Sequence, residues 1–514
     1  MRKKNKNRPL LSQNGNLFQI GDLIAGVSVA FIAIPQALAY ADLAGMPPHT
    51  GLYAVILATL AGSLLASSPY IQAGPVATTS LLTFGALSNI AAPYSSEYLA
   101  AAGLLAIIVG LVRIAIGLMR FGQIAYLLSQ PVLVGFISAA GILIISSQIP
   151  TMLGVVSSGS VIQKAFFSLT NYSAWQPLSI LLAFATFFLI KLGKRLHPLF
   201  PSVLLAVAIG ILVSKYTNYQ GQVVGNIPTT LPLLNLHLNF EHLKQLIFSG
   251  SVIAVIGFSE ATSIARTYAT LDRSHWSPNQ EFISQGLANI ASGLFGGFPV
   301  GASFSRSSVN RLAGAKSHWS SFVTGLTVLA IIPFANVFYS LPKAVLAGII
   351  VTSVISIIKF PELLELYKYS KPQGSIAWLT FFFTLLLAPR IELGILIGIA
   401  LAVVHHLRRE QKLVYEHWKD EDGLHIEPQG VMWFGSSASM EEEFLGIIAS
   451  KPDIDKLHFH LGGIGRIDLS AAITLQNIIK DANKLGIECY LHDVPPMAQA
   501  WIDRVWGNVL EHID

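Results

Sequence analysis

One cysteine, Cys489, serves 514 residues. A single thiol excludes an intrachain disulfide framework, and its place in a late, charge-richer segment makes it a packing residue. Charge is the second shortage. Only 12% of residues are Asp, Glu, Lys or Arg, against about 25% in soluble proteins, which excludes a large solvated globule. Other absences narrow the function. No GxxxxGK[ST] loop occurs, so nothing points to a nucleotide-driven pump. No repeated rings of charge suggest a channel pore. His405 and His406 fall at a membrane edge and His458 and His460 in a strand, and neither set has metal-ligand spacing. No nucleophile–base pair stands out, and the chain reads as neither an enzyme nor a holder of cofactors. The net charge of +5 comes from basic residues at membrane edges and is no sign of nucleic-acid binding. No small-residue cleavage site follows a short apolar core, so the basic start, Met1 to Arg8, is not read as a signal peptide.

What remains is apolar. Hydrophobic residues make up 53% of the chain, and runs of membrane length recur from Ile24 to Val404. Fourteen segments are expected, several too short for a full crossing, notably those opening at Pro75 and Pro299. Loops after even-numbered segments carry the basic residues, among them Arg120, Lys194, Arg273, Lys359 and Arg408. By the positive-inside rule both termini are then cytoplasmic, in a multi-pass protein of the cell (inner) membrane. After His405 the composition changes. Residues 456–461 alternate as a strand, Asp468 to Leu485 has helical spacing ending at Gly486, and Ile487 to Leu491 reads as another strand. The expected division is a basic cytoplasmic segment 1–21, a membrane domain 22–407 and a small α/β domain 408–514.

Two stretches share a pattern: Gly74-Pro75-Val76-Ala77-Thr78-Thr79-Ser80 and Gly297-Phe298-Pro299-Val300-Gly301-Ala302-Ser303. Each is a Gly/Pro break followed by small and hydroxyl residues. A broken backbone in lipid survives only where it is buried or lines a cavity. A matched pair, one per half, points to a transporter's midplane site, where opposed half-helix N-termini would bind an anion.

The string Ile34-Pro35-Gln36-Ala37-Leu38-Ala39-Tyr40-Ala41, with Leu43-Ala44-Gly45-Met46-Pro47-Pro48 and Gly51-Leu52-Tyr53, resembles the first-span signature of the sulfate permease (SulP) anion transporters. Ser303-Phe-Ser-Arg306-Ser-Ser-Val309-Asn310 and Leu341-Pro342-Lys343-Ala344 resemble that family's later motifs, and the C-terminal region resembles its STAS domain. The resemblance implies an α-helical polytopic membrane protein with a seven-plus-seven inverted repeat, core and gate domains, a homodimer, and elevator-type transport of an inorganic anion. Departures are His49-Thr50 before Gly51 and Leu469 in the STAS loop. Ser470 matches a position phosphorylated in soluble relatives, but reads here as a helix N-terminal capping residue.

The candidate anion cradle comprises Val76, Ala77, Thr78, Val300, Gly301, Ala302 and Ser303, whose N–H and hydroxyl groups donate if Pro75 and Pro299 open the half-helices. Close helix packing is the other reading of such small residues. Gln36 either donates to the anion or bonds a neighbouring helix, and Tyr40, one turn on, either closes the pocket or sits in an interfacial belt. Arg306 either adds positive potential or snorkels. Aligning the halves sets Gln36 against Glu260. A carboxyl in such a span is functional by default. It serves a coupling proton, a sodium ion with Ser259 or Thr262, or an ion pair with Arg306 or Arg266. Proton-coupled sulfate uptake leads. Sodium-dependent bicarbonate transport and proton–dicarboxylate symport are the alternatives, and a STAS-mediated regulatory scaffold is the alternative of a different class.

Overall fold

The structure, a computed structural model, describes residues 18–126, 129–235, 240–451 and 453–506. Most of the basic segment 1–21 therefore lies outside the described residues. The chain divides into two units, Met1–Ile399 and Ala400–Asp514.

In the first unit two halves repeat one order of helices. The first runs α1 (Ile20–Leu43), α2 (Pro48–Ser63), α3 (Ala77–Leu87), α4 (Ser96–Leu118), α5 (Gln130–Leu153), α6 (Val161–Thr170), α7 (Pro177–Leu196) and α8 (Ser202–Tyr216). The second runs α9 (Leu243–Leu271), α10 (Pro278–Leu294), α11 (Phe304–Leu312), α12 (Trp319–Ile331), α13 (Lys343–Ile355), α14 (Phe360–Tyr369), α15 (Lys371–Leu386) and α16 (Ile391–Glu410). Among the described residues, eight helical stretches are long and apolar enough to cross a membrane. The third helix of each half is short and follows a two-residue strand, β1 (Ala73–Gly74) or β2 (Gly301–Ala302). The sixth, α6 or α14, has ten residues and belongs to no expected segment. Without that pair, seven helices per half remain among the described residues, matching the fourteen segments read from the sequence.

The packing obeys the same exchange. Helix α4 lies on α10, and its image α12 lies on α2. Helix α5 lies on α15, and its image α13 lies on α7. The contacts α2 with α10 and α5 with α13 map onto themselves. The result is a core of α1–α4 and α9–α12 and a gate built on α5, α7, α13 and α15. Glycines bring the core's α4 and α10 together. Gly103, Gly110 and Gly117 recur every seven residues and meet Gly293, Gly286 and Asn279 in antiparallel order. A Cβ on Gly293 would stand 2.4 Å from the Gly103 carbonyl oxygen, and one on Gly110 2.6 Å from that of Gly286. Asp22, fully buried at the start of α1, accepts from the backbone N–H of Lys316 and Ser317 at 2.8 and 2.9 Å, so its carboxylate ties the two halves together.

The second unit is an α/β domain. Strand β3 (Val414–Lys419) runs antiparallel to β4 (Leu424–Met432). Strand β4 runs parallel to β5 (Lys456–His460) and β6 (Ile464–Ile467), and β5 parallel to β7 (Glu488–His492). Helices α17 (Ser437–Ala449), α18 (Leu469–Lys484) and α19 (Pro496–Trp506) complete it. Leu424, Ile426, Leu457, Phe459, Cys489 and Leu491 alternate into a core shared with Ala471, Leu475 and Ile479. The cap of α18 corrects the sequence reading. Asp468, not Ser470, accepts from Ala471 N–H at 2.9 Å, because the carboxylate stands at the N-cap while Ser470, the second residue of the helix, is exposed.

Candidate functional site

The two interrupted segments meet. Strands β1 and β2 pair antiparallel, Ala73 with Ala302 and Gly74 with Gly301, and Ser303 N–H donates to the Gln72 carbonyl at 3.2 Å. Gly74 sits at φ +146°, where a side chain would be strained and would press on Val55 and Arg306. The pairing corrects the expected helix starts. The half-helices begin at Ala77 and Phe304, not at Pro75 and Pro299, because Val76 and Ser303 stand at their N-caps and, in the second half, Gly301–Ala302 form a strand after the proline. Val300 N–H donates to Asn289 Oδ1 at 2.9 Å, and its carbonyl accepts from Arg113 Nη1 at 3.0 Å and Asn289 Nδ2 at 3.1 Å. Val300, Gly301 and Ala302 therefore stand behind the site as scaffold. The N–H groups without an intrahelical acceptor lie in the first turns, at Ala77 and Thr78 on one side and Phe304 and Ser305 on the other.

Those turns open on a cavity of about 500 Å³. Its core wall holds Tyr40, Val76, Ala77, Thr78, Ser303 and Ser305, with Ser259, Glu260 and Ser263 from α9. Its gate wall holds Gln130, Leu133, Val134 and Ile137 from α5, and Ser353, Val354, Ser356 and Ile357 from α13 and its end. Lys194 and Lys359 complete the lining. Gln36 and Arg306 sit one layer back, 3% and 0% exposed. Arg306 Nη1 donates to the Pro75 carbonyl at 2.9 Å and to Gln36 Oε1 at 3.3 Å, and Gln36 Nε2 donates to Ser305 Oγ at 3.4 Å. A fixed cation thus stands behind both N-termini without touching the cavity. Thr78 Oγ donates to Glu260 Oε1 at 2.5 Å, which joins the carboxyl to the first half-helix. Among the described ion pairs none includes Glu260. Thr262 turns its hydroxyl back to the Phe258 carbonyl, away from the carboxyl. Asp42 is bound at the end of α1 by Lys343 at 2.7 Å and Tyr94 at 2.8 Å.

Sequence reasoning missed Arg113 and Asn289, which brace Val300, and the gate residues Gln130, Ser353, Lys194 and Lys359. Arg113 had a signal, since a cation inside an apolar span is as costly as Glu260. Gln130 and Ser353 had none, because only the fold sets α5 and α13 opposite the half-helices.

An inverted repeat with two half-helix N-termini opposed across a hydroxyl-lined cavity is the architecture of a membrane transporter. Comparison with known proteins gives the family. Residues 20–380 match the sulfate permease family and residues 418–505 the STAS domain; the chain belongs to the sulfate permease family, one of transporters rather than enzymes. It is 32% identical over 399 residues to the Arabidopsis thaliana protein named sulfate transporter 4.1, chloroplastic, the match covering 75% of this chain and 58% of that one. A probable sulfate transporter of Mycobacterium tuberculosis is 31% identical over 399 residues, covering 76% and 70%. In structure the chain is similar to the murine Solute Carrier 26 family member A9 anion transporter in the inward-facing state, with a TM-score of 0.87 at 20% identity over 97% of this chain and 90% of that one. The transmembrane domain of a cyanobacterium bicarbonate transporter gives a TM-score of 0.64 at 25% identity, over 74% and 97%.

Proposed function

We infer that the chain is a secondary active transporter of an inorganic anion, and that it takes up sulfate together with a proton. The observation that carries this reading is the joining of Glu260 to the first half-helix through Thr78, on the wall of the anion cavity. An ionised carboxylate there repels the substrate. Each pair of unit charges at about 4 Å costs about 4 kcal/mol at an effective dielectric of about 20, and sulfate carries two charges. Protonating Glu260 removes that repulsion, so proton and anion load together, and the fixed Arg306 behind the N-termini offsets part of the remaining charge. Sulfate needs many donors, and the wall offers the free N–H groups of the two first turns and a hydroxyl hydrogen from the Ser303–Ser305 pair.

The movement is of the elevator type. The cradle belongs wholly to the core, and the gate faces it with Leu133, Val134, Ile137, Val354 and Ile357, apolar side chains that make no fixed bonds as the core slides. On the topology read from the sequence Lys194 and Lys359 belong to the cytoplasmic side, and their place in the cavity lining supports an inward-facing conformation. The transporter domain 22–407 sits in the cell (inner) membrane with both termini cytoplasmic, carries a cytoplasmic STAS domain 408–514, and works as a homodimer. Radiolabelled sulfate uptake into proteoliposomes under an inward proton gradient tests the reading. Saturable uptake that a protonophore abolishes supports it. Sealed vesicles that take up no sulfate but accumulate bicarbonate with sodium would replace it with the second reading, which the likeness to the bicarbonate transporter's transmembrane domain favours.

A further inference from the structure

Four histidines from three strands share the face of the β-sheet opposite its apolar core. His425 comes from β4, His458 and His460 from β5, and His492 from β7. Strand register places His425 beside His458, and His460 beside His492. The rings stack, with centroids 4.5 Å apart for His425 and His458 and 4.9 Å for His460 and His492. Trp418 from β3 stacks on His425 and Tyr490 from β7 on His458. Asp420, Asp422 and Asp493 lie at the loop ends of these strands.

The nitrogens are paired across the diagonals. His425 Nδ1 lies 3.0 Å from His460 Nε2, and His458 Nδ1 lies 2.9 Å from His492 Nε2. The outer nitrogens fix which atoms carry hydrogen. His458 Nε2 is 3.3 Å from the Asp422 carbonyl oxygen, which only accepts, so the hydrogen sits on Nε2 and Nδ1 presents a lone pair. His425 Nε2 is 3.0 Å from Asp420 Oδ1. A carboxylate oxygen accepts, so the hydrogen sits on Nε2 here too and leaves the Nδ1 of His425 bare. Each gap then faces a lone pair with a second imidazole nitrogen, and it is filled by one shared proton or by a metal ion. An ion about 2.0–2.1 Å from each of two imidazoles holds the nitrogens about 2.9–3.4 Å apart for bond angles from right-angled to tetrahedral. Acceptors on the outer nitrogens are the customary second shell of a metal-binding histidine, and imidazole donors favour zinc, copper and nickel over magnesium or calcium.

We propose that this histidine array is a binding site for a divalent transition-metal ion of the zinc, nickel and copper class, formed by two chelating pairs, His425 with His460 and His458 with His492. Water completes the coordination at each pair. Neighbouring dications repel, so one pair fills first and the second binds more weakly.

The test uses the full-length chain in detergent, without an affinity tag, and equilibrium dialysis against NiCl2 and ZnCl2. Wild type retains at least one ion per chain. His460→Asn or His492→Asn alone leaves one chelating pair and retains binding, whereas the double variant His460→Asn/His492→Asn binds at least tenfold more weakly. His417→Ala, on β3 outside the array, leaves binding unchanged. A measurement independent of the variants' folding is quenching by CuCl2, since Trp418 lies 5.1 and 5.3 Å from the rings of His425 and His460. Titrated copper quenches wild type and loses a saturable component in Trp418→Phe. Wild type that binds no more nickel or zinc than the double variant, or a quenching curve identical in Trp418→Phe, would overturn the proposal.

Discussion

Glu260, half-buried on the cavity wall, and Cys489, buried in a core, are both reactive groups, and their surroundings give them opposite prospects. Glu260 faces a cavity and accepts from Thr78. A Glu260→Gln chain keeps an amide oxygen to accept that bond but holds no exchangeable proton. Its sulfate uptake should therefore persist in exchange assays while losing its stimulation by external acid, at least tenfold, in proteoliposomes of matched protein content. Unchanged pH stimulation would remove Glu260 from the coupling step. Cys489 sits in the α/β core, 8% exposed, and burial pushes its thiol up to about 12. The thiolate is the reactive form, and it is scarce at neutral pH. Maleimide should leave the native chain unlabelled at pH 7 and label it only after denaturant opens the domain, a contrast that mass spectrometry reads directly.

At the scale of the element, the seam of α4 and α10 depends on having no side chains where backbones touch. Gly293→Val forces a Cβ against the Gly103 carbonyl, and overpacking of this kind costs about 1–3 kcal/mol. A lower melting temperature in detergent and weaker transport are expected, and a Gly446→Ala control, on α17 with no atom near its Cβ and no positive φ, should lower neither. Much of this level was legible beforehand. Apolar runs gave the fourteen segments, and the paired Gly/Pro breaks gave the two half-helices. The helix starts were misplaced because Pro at a first turn is a local rule, while the β1–β2 pairing of Ala73 with Ala302 and Gly74 with Gly301 joins residues from opposite halves. Helices α6 and α14 escaped because ten amphipathic residues look like neither span nor loop. In the α/β domain His458 and His460 were visible as strand neighbours. Their partners His425 and His492 came from parallel pairings that no sequence spacing reveals.

For the whole molecule the distinction that matters is between carrier and wall. The cradle, Glu260 and Arg306 all belong to the core, whereas Val354 and Ile357 belong to the gate. A bulky Val354→Trp should obstruct sliding and not the cradle. Transport should fall by at least tenfold while sulfate still protects the purified protein against heat. Loss of both together would place Val354 at the anion itself. The family and fold were readable because many motifs stand in order along the chain. The division of labour between Gln36, a backing residue, and Ser353, a lining one, was not, since burial depth depends on which helices stand in front.

The strand pair at Ala73 and Ala302 also sets an order of manufacture. As the chain leaves the ribosome, the first half enters the bilayer with one unpaired strand and one half-helix end, and it has no Arg306 behind its anion contacts. Only when Ala302 arrives from the second half does that backbone find its mate. Membrane insertion of the first half therefore precedes any capacity to hold an anion, and a nascent chain arrested before β2 should be membrane-integrated yet blind to substrate.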